Sequence, residues 1–200
     1  MISKIYLLDG GVKNNSEDDQ VNPKETSKIK IICVIILIGI ITQIMLTHIN
    51  KQGNPNMVDV TEKQVTQRTA TARSIVVLPA EVFELLSGDE LQSKKGPVFQ
   101  TAIIAGIMAA KKTGDLIPLC HPLGLDNCNI SIQINEQQEV VVDCTASITA
   151  KTGVEMEALV GASIAALTIY DMCKAMSHDI VIKETKLIAK TGGKRDFKRS

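Results

Sequence analysis

Asp171 and Lys174 stand three residues apart near the end of a long apolar stretch, with Ala165-Ala166-Leu167 before them and Met172-Cys173 between them. On a helix that spacing lets the carboxylate and the ammonium pair. Among polar neighbours such a pair is a surface salt bridge worth a few tenths of a kcal/mol. Among apolar neighbours it must face a cleft or an interface. There the aspartate can act as general acid or base, with the lysine tuning it. The same stretch opens with Thr152-Gly153-Val154-Glu155-Met156-Glu157. Thr152 and Glu155 fit a capping box, which is the structural reading of Glu155. Glu157 has no capping role, and acidic residues are favoured in a first turn anyway.

A second constellation is Pro118-Leu119-Cys120-His121-Pro122. The prolines hold the backbone extended around Cys120 and His121 and so aim their side chains. Adjacency alone does not make a nucleophilic dyad, because neighbours on extended backbone point apart. A buried loop with a hydrogen-bonded histidine is the plain alternative. A third group runs from Lys186 through Lys190 and Gly192-Gly193-Lys194-Arg195 to Lys198. Glycine amides and lysines can cradle phosphate, although the P-loop pattern is absent and a solvated tail reads equally well. Lys94-Lys95-Gly96, Arg68 and Arg73 are further isolated cations. Taken together, these residues describe an anionic-ligand site with acid-base groups. His48, His121 and His178 are too scattered to suggest a metal site.

Composition narrows the class. The chain has 200 residues, enough for one domain or one domain with an appendage. Lysine plus arginine equal aspartate plus glutamate at 22 each, which argues against a dedicated nucleic-acid binder. Aromatic residues make up only 2%, too few for base-stacking platforms, so the core must be aliphatic. The five cysteines are odd in number and none form C-x-x-C, so reduced thiols are expected rather than a disulfide framework or a zinc site.

Residues 1–28 are polar, and residues 31–46 are almost purely apolar. That run is short of the roughly 20 residues a bilayer span needs. Three readings fit: a marginal membrane anchor, a segment without fixed structure, or translated upstream sequence with Met45 as the working start. Residues 1–44 carry five basic and five acidic residues, so the remaining chain keeps 17 of each and is itself neutral.

The elements that would position the chemistry follow. Residues 69–78 read as a strand, and Pro79 opens a helix with Val82, Leu85 and Leu86 on one face, stopped by Gly88. Residues 98–112 read as a helix and 116–125 as a proline-constrained loop. Two strands, 129–134 and 139–149, flank the Asn135-Glu136-Gln137-Gln138 turn. A long helix covers 154–176, and a last strand covers 180–190. The order β-α-α-β-β-α-β suggests an α+β fold of the ferredoxin-like kind, an antiparallel sheet packed with helices. On the long helix Glu157 and Asp171 would be about 40° apart around the axis and roughly 21 Å apart along it. A small-molecule site using both must take a long ligand or be shared between subunits of a symmetric assembly.

Five segments carry a resemblance to a known family. They are Met57-Val58-Asp59-Val60, Ile104-Ala105-Gly106-Ile107, residues 115–123 around Cys120-His121, residues 151–159 around Glu155-Met156-Glu157, and residues 166–175 around Asp171 and Lys174. From about Met45 to Phe197 the chain resembles the cyclic pyranopterin monophosphate synthases, the second enzymes of molybdenum cofactor biosynthesis. The resemblance implies a lyase that rearranges a 3′,8-cyclised dihydro-GTP into cyclic pyranopterin monophosphate and releases diphosphate, with no redox cofactor. It implies a cytoplasmic homohexamer, a trimer of dimers, with sites at subunit interfaces. Asp171 resembles the family's active-site aspartate, and Lys174 and Lys95 its catalytic lysines. Leu119, Cys120, His121, Met156 and Glu157 resemble substrate-contacting positions, and Arg68, Glu155 and Lys190 match further positions of the pocket. The implied division is a synthase domain at 45–200 behind an atypical extension at 1–44, with membrane contact open only to residues 31–46.

Three departures stand out. Ile103 occupies a position where the family usually has arginine, Pro97 one where aspartate is usual, and the tail reads Gly-Gly-Lys-Arg-Asp-Phe rather than Gly-Gly-Lys-Ser-Gly-Asp-Phe. They leave an alternative in view: a catalytically weakened homologue kept as an oligomeric binding or scaffold protein.

Overall fold

A computed structural model describes residues 49–50 and 52–199. The extension at 1–44 and the apolar run at 31–46 lie outside the described residues.

The alternation of small or branched apolar residues with polar ones makes two long strands. Strand β1 (Thr66–Val77) buries Ala70, Ala72, Ser74 and Val76. Strand β6 (Glu139–Ala150) buries Val140, Val142, Cys144, Ala146 and Ile148. Successive side chains point to opposite faces, so each strand offers one face to the core. The two pair antiparallel along their whole length, from Thr66 opposite Ala150 to Val77 opposite Glu139. Strand β5 (Asn127–Ile134) joins β6 through the expected turn. There Asn135 Oδ1 accepts the Gln137 and Glu139 amides at 3.0 and 2.8 Å, and Gln138 takes a left-handed φ of 59°. Strand β7 (Val181–Thr191) pairs with the other edge of β1, with register shifts near Thr71 and Ile75, and β8 (Phe197–Lys198) closes that side.

The sheet order is β5-β6-β1-β7-β8, all antiparallel. Its four long strands follow the ferredoxin-like split-βαβ order. Both long helices, α2 (Val98–Ala110) and α4 (Glu155–Cys173), cover one face. Helix α4 buries Ala158, Ala162, Ala165, Ala166 and Ile169. It is long and apolar enough to resemble a membrane span, but half of it is buried inside the domain. Small side chains bring the layers close. A Cβ on Gly161 would lie 2.6 Å from Cys144 Sγ, and one on Gly106 would lie 2.7 Å from the Gly161 carbonyl. This is how a chain with few aromatic rings fills its core.

Between β1 and α2 the chain departs from the expected helix between Pro79 and Gly88. Helix α1 is a single turn (Ala80–Phe83), and Leu86 belongs to a strand. Three short strands, β2 (Leu86–Ser87), β3 (Glu90–Ser93) and β4 (Gly96–Pro97), form a meander with two-residue turns at Gly88-Asp89 and Lys94-Lys95. Gly88 has a φ of 62°, so it shapes a hairpin turn rather than ending a helix. Leu91 in β3 is fully buried and pins the meander to the core. Helix α3 (Thr113–Leu116) then leads into the proline-bracketed loop at 117–126. The four described cysteines, Cys120, Cys128, Cys144 and Cys173, are free thiols.

Candidate active site

The structure gathers the sequence-selected residues into three groups on one chain. The first lies at the C-terminal end of α4. The Lys94-Lys95 turn of the meander reaches across to it. Lys95 Nζ donates to Asp171 Oδ2 at 2.8 Å and to the Asp171 carbonyl at 2.9 Å. Lys174 Nζ, one turn on, lies 2.8 Å from the other carboxylate oxygen. Asp171 is thus a carboxylate clamped between two ammonium groups, each about half exposed. The hydrogen bond from Lys174, then that from Lys95, holds its pKa down at about 2. The same contact pushes the Lys174 pKa up. At neutral pH Asp171 Oδ can therefore accept a proton, and Lys174 Nζ has one to give. An apolar cavity of about 400 Å³, lined by Leu85, Met172 and Met176, borders Lys95.

The second group lies at the other end of α4. Lys190 on β7 donates to Glu155 Oε1 at 2.8 Å. The capping box is not formed: Val154 is the N-cap and no side chain caps the helix. Burial is the largest single influence on Glu155 and works against its charge, but the Lys190 hydrogen bond, the backbone amide of Glu155 and the charges of Lys190 and Arg68 together outweigh it, and the net pKa is lowered. Arg68 Nε reaches the Ala150 carbonyl at 3.4 Å. Two glycines leave room for these charges. A Cβ on Gly193 would lie 3.1 Å from Arg68 Nη1, and one on Gly153 would strike the Glu155 carboxylate. The group lines a cleft of about 760 Å³ in which Lys63, Arg68, Lys151, Lys190 and Lys194 gather, with Asp59, Glu62 and Glu155 as counter-charges. A neutral domain has here gathered a local excess of cations, which can focus an anion. Sequence reasoning passed over Lys151. Its one signal was its place beside Thr152-Gly153. It donates to the Thr61 carbonyl at 2.7 Å and so ties the incoming segment to the cleft.

The third group joins the loop to α4. Glu157 is only 3% exposed, and burial, with the charge of Glu155 adding to it, raises its pKa. Cys120 is half-buried, and its thiol is pushed up by burial first and then by the charge of Glu157. Cys120 is thus a neutral thiol rather than a nucleophilic thiolate. Leu119 and His121 sit half-buried in the same loop, which packs against Gly114. Met156 is exposed on the outer face of α4.

Among the described residues no cluster of His, Cys, Asp and Glu could hold a metal ion. What the chain offers is an acid-base cluster at one end of α4, a cationic cleft at the other, and a buried carboxyl near the cleft end. A family model described as the MoaC family matches residues 57–193, which include the Asp171, Glu155 and Glu157 of the three groups. The chain belongs to the MoaC family.

Relatives of this MoaC-family chain agree. The cyclic pyranopterin monophosphate synthase of Xanthomonas campestris pv. campestris (strain 8004) is 54% identical over 156 residues, covering 78% of this chain and 94% of that protein. The molybdenum cofactor biosynthesis bifunctional protein of Synechocystis sp. is 52% identical over 160 residues, covering 78% of this chain and 46% of that protein. The molybdenum cofactor biosynthesis protein 1 of Dictyostelium discoideum is 52% identical over 165 residues, covering 74% of this chain and 26% of that protein. The MoaC-family segment thus corresponds to almost the whole of the bacterial synthase and to part of two larger proteins.

Proposed function

We propose that the chain is a lyase of molybdenum cofactor biosynthesis. It converts (8S)-3′,8-cyclo-7,8-dihydroguanosine 5′-triphosphate to cyclic pyranopterin monophosphate and releases diphosphate. Besides family membership, one observation supports the reading: the Asp171 carboxylate held between Lys95 and Lys174. Opening the imidazole ring, forming the pyran and closing the cyclic phosphate all move protons. The ionised Asp171 accepts one at Oδ. Lys174, kept protonated, supplies one. Phosphate oxygens compete for the lysines, and each lysine drawn away raises the basicity of Asp171 where the proton is taken. Arg68 and Lys190 bind the triphosphate in the cationic cleft, with Glu155 holding Lys190 in line. Leu119, Cys120, His121, Met156 and the buried carboxyl of Glu157 contact the ring system. No resident cofactor or nucleic acid takes part.

The reading includes a homohexamer, a trimer of dimers, with sites at subunit interfaces. Its support is the length of α4: Glu157 and Asp171 lie roughly 21 Å apart along one helix. One substrate then meets Glu157 of one subunit and Asp171 of the partner subunit. The synthase unit is residues 45–200, working in the cytoplasm behind an extension at 1–44, and residues 31–46 are the route to any membrane contact.

The test is the purified full-length chain supplied with the cyclised dihydro-GTP. Diphosphate and pyranopterin are expected in equal amounts. A well-assembled oligomer that releases neither overturns the reading and leaves the scaffold alternative.

A further inference from the structure

We propose that Glu90 is a positioning residue for Lys95, an inference that rests on Lys95 acting on Asp171 as set out above. The Lys95 turn belongs to a meander whose strands are two to four residues long, too short to stand alone. The ion pair does not fix it either, because both partners are about half exposed and a pair in water holds geometry weakly. The hold must come from the backbone. Glu90, which opens β3, supplies it. Its Oε1 accepts the amides of Leu91 at 2.8 Å and Phe99 at 2.7 Å, and its Oε2 accepts the Gln100 amide at 3.1 Å.

Phe99 and Gln100 are in the first turn of α2, where amides have no partner within the helix. Pro97, the N-cap, has no side-chain group to satisfy them. Glu90 takes that place from eight residues upstream of α2, and its negative charge suits the helix terminus. One carboxylate therefore joins the start of β3 to the start of α2 and closes the loop that carries Lys94 and Lys95. Within the loop, Ser93 Oγ donates to the Gly96 carbonyl and accepts the Lys95 amide, each at 3.1 Å. Gly96 completes the exit with a φ of 112°. The hydrogen bonds of the Glu90 carboxylate go to Leu91, Phe99 and Gln100 and none to Asp171. It acts by fixing where the Lys95 backbone begins its reach toward α4.

The test compares the full-length wild type with Glu90→Gln and Glu90→Ala in turnover and in amide hydrogen exchange. Glu90→Ala is expected to lower kcat by about ten- to a hundredfold, as a small misplacement of a reacting group does, and to leave KM within about threefold because the cationic cleft is untouched. Exchange should rise at residues 93–97 and stay unchanged along α4. Glu90→Gln keeps the oxygen that receives Leu91 and Phe99, so it should recover most of the loss. The inference is overturned by unchanged exchange at 93–97, by exchange rising equally across the domain, or by Glu90→Gln matching Glu90→Ala. If Glu90→Ala does not fold, Glu90→Gln decides alone: about fivefold slower turnover, of the order one lost hydrogen bond gives, with faster exchange at 93–97 supports the inference, and wild-type behaviour in both overturns it. A wild type without turnover sinks the lyase reading instead, and the exchange arm still reads the hold of Glu90 on the turn.

Discussion

Lys95 and Asp171, 76 residues apart, meet through two hydrogen bonds from one ammonium group, at 2.8 Å to the carboxylate and 2.9 Å to the Asp171 carbonyl. The second bond is the informative one. The last carbonyls of a helix have no partner within it, and a cation there is favoured by the helix dipole. Lys95 therefore docks on a helix end as well as on a charge. This second bond does not depend on the Asp171 side chain.

That bond separates binding from chemistry in an Asp171→Asn variant. The amide keeps the shape and leaves Lys95 on the carbonyl, but it cannot take a proton. Turnover is expected to fall at least about a hundredfold, the usual scale for an acid-base group, while substrate affinity measured by calorimetry changes little. Near-normal turnover would remove Asp171 from the proposed role.

The clamp also has a signature in pH. The Asp171 pKa lies below its ordinary value of 3.8, at about 2. A lowered carboxylate pKa means stability that is full above the unfolded-state value and drains away as pH falls from about 4 toward 2. In a carboxyl-carbon NMR titration the Asp171 midpoint should lie well below 3.8. In Lys174→Ala it should move up more than in Lys95→Ala, because the Lys174 hydrogen bond is the larger cause. A midpoint unmoved by either substitution would show that the clamp does not form in solution.

At the far end of α4, Lys190→Met should split the kinetic constants the other way. Lys190 is proposed to bind phosphate and not to move the proton. Its loss should raise KM by about tenfold, near the 1.4 kcal/mol of one charged contact, and leave kcat within about threefold. The substitution also strands Glu155, whose pKa should rise once its partner is gone. A kcat that falls in proportion would place Lys190 in the chemical step.

Packing can be tested apart from catalysis. Gly161→Ala should destabilise the domain by about 1–3 kcal/mol, the usual cost of overpacking, because the new methyl group meets Cys144 Sγ at 2.6 Å. Urea unfolding should show the loss. Adding Cys144→Ala removes the sulfur and should recover part of it, giving a non-additive double-mutant cycle. Full additivity would mean that the two layers are not in contact there.

Period-2 patterning made β1, β5, β6 and β7 legible in the sequence, and the long apolar run made α4 legible. The Asp171–Lys174 pair was legible too, because it is local to one helix. What failed locally was decided at long range. Thr152 and Glu155 spell a capping box, yet the Glu155 carboxylate is taken by Lys190, 35 residues away on β7. Leu85 and Leu86 continue a helical face on paper, yet Gly88 turns the chain back and Leu91, buried in the core, holds it there. The approach of Lys95 to Asp171 had no local signal, and only the family resemblance brought Lys95 forward. Glu90 went unnoticed because its partners are backbone amides, which carry no sequence mark.

Helix α4 carries the cationic cleft's Glu155 at one end and Asp171 at the other. An α-helix advances about 1.5 Å and turns about 100° with each residue. Its middle can change in chemistry while the spacing survives, provided the buried side stays small. It cannot change in count. One inserted or deleted residue would swing Asp171 about a quarter-turn from Lys95 while every side chain of the proposed site remained present. For this helix, arithmetic is under stricter control than composition: a relative that kept every residue type but gained one position between Glu157 and Asp171 should lose its packing on the sheet together with its reaction.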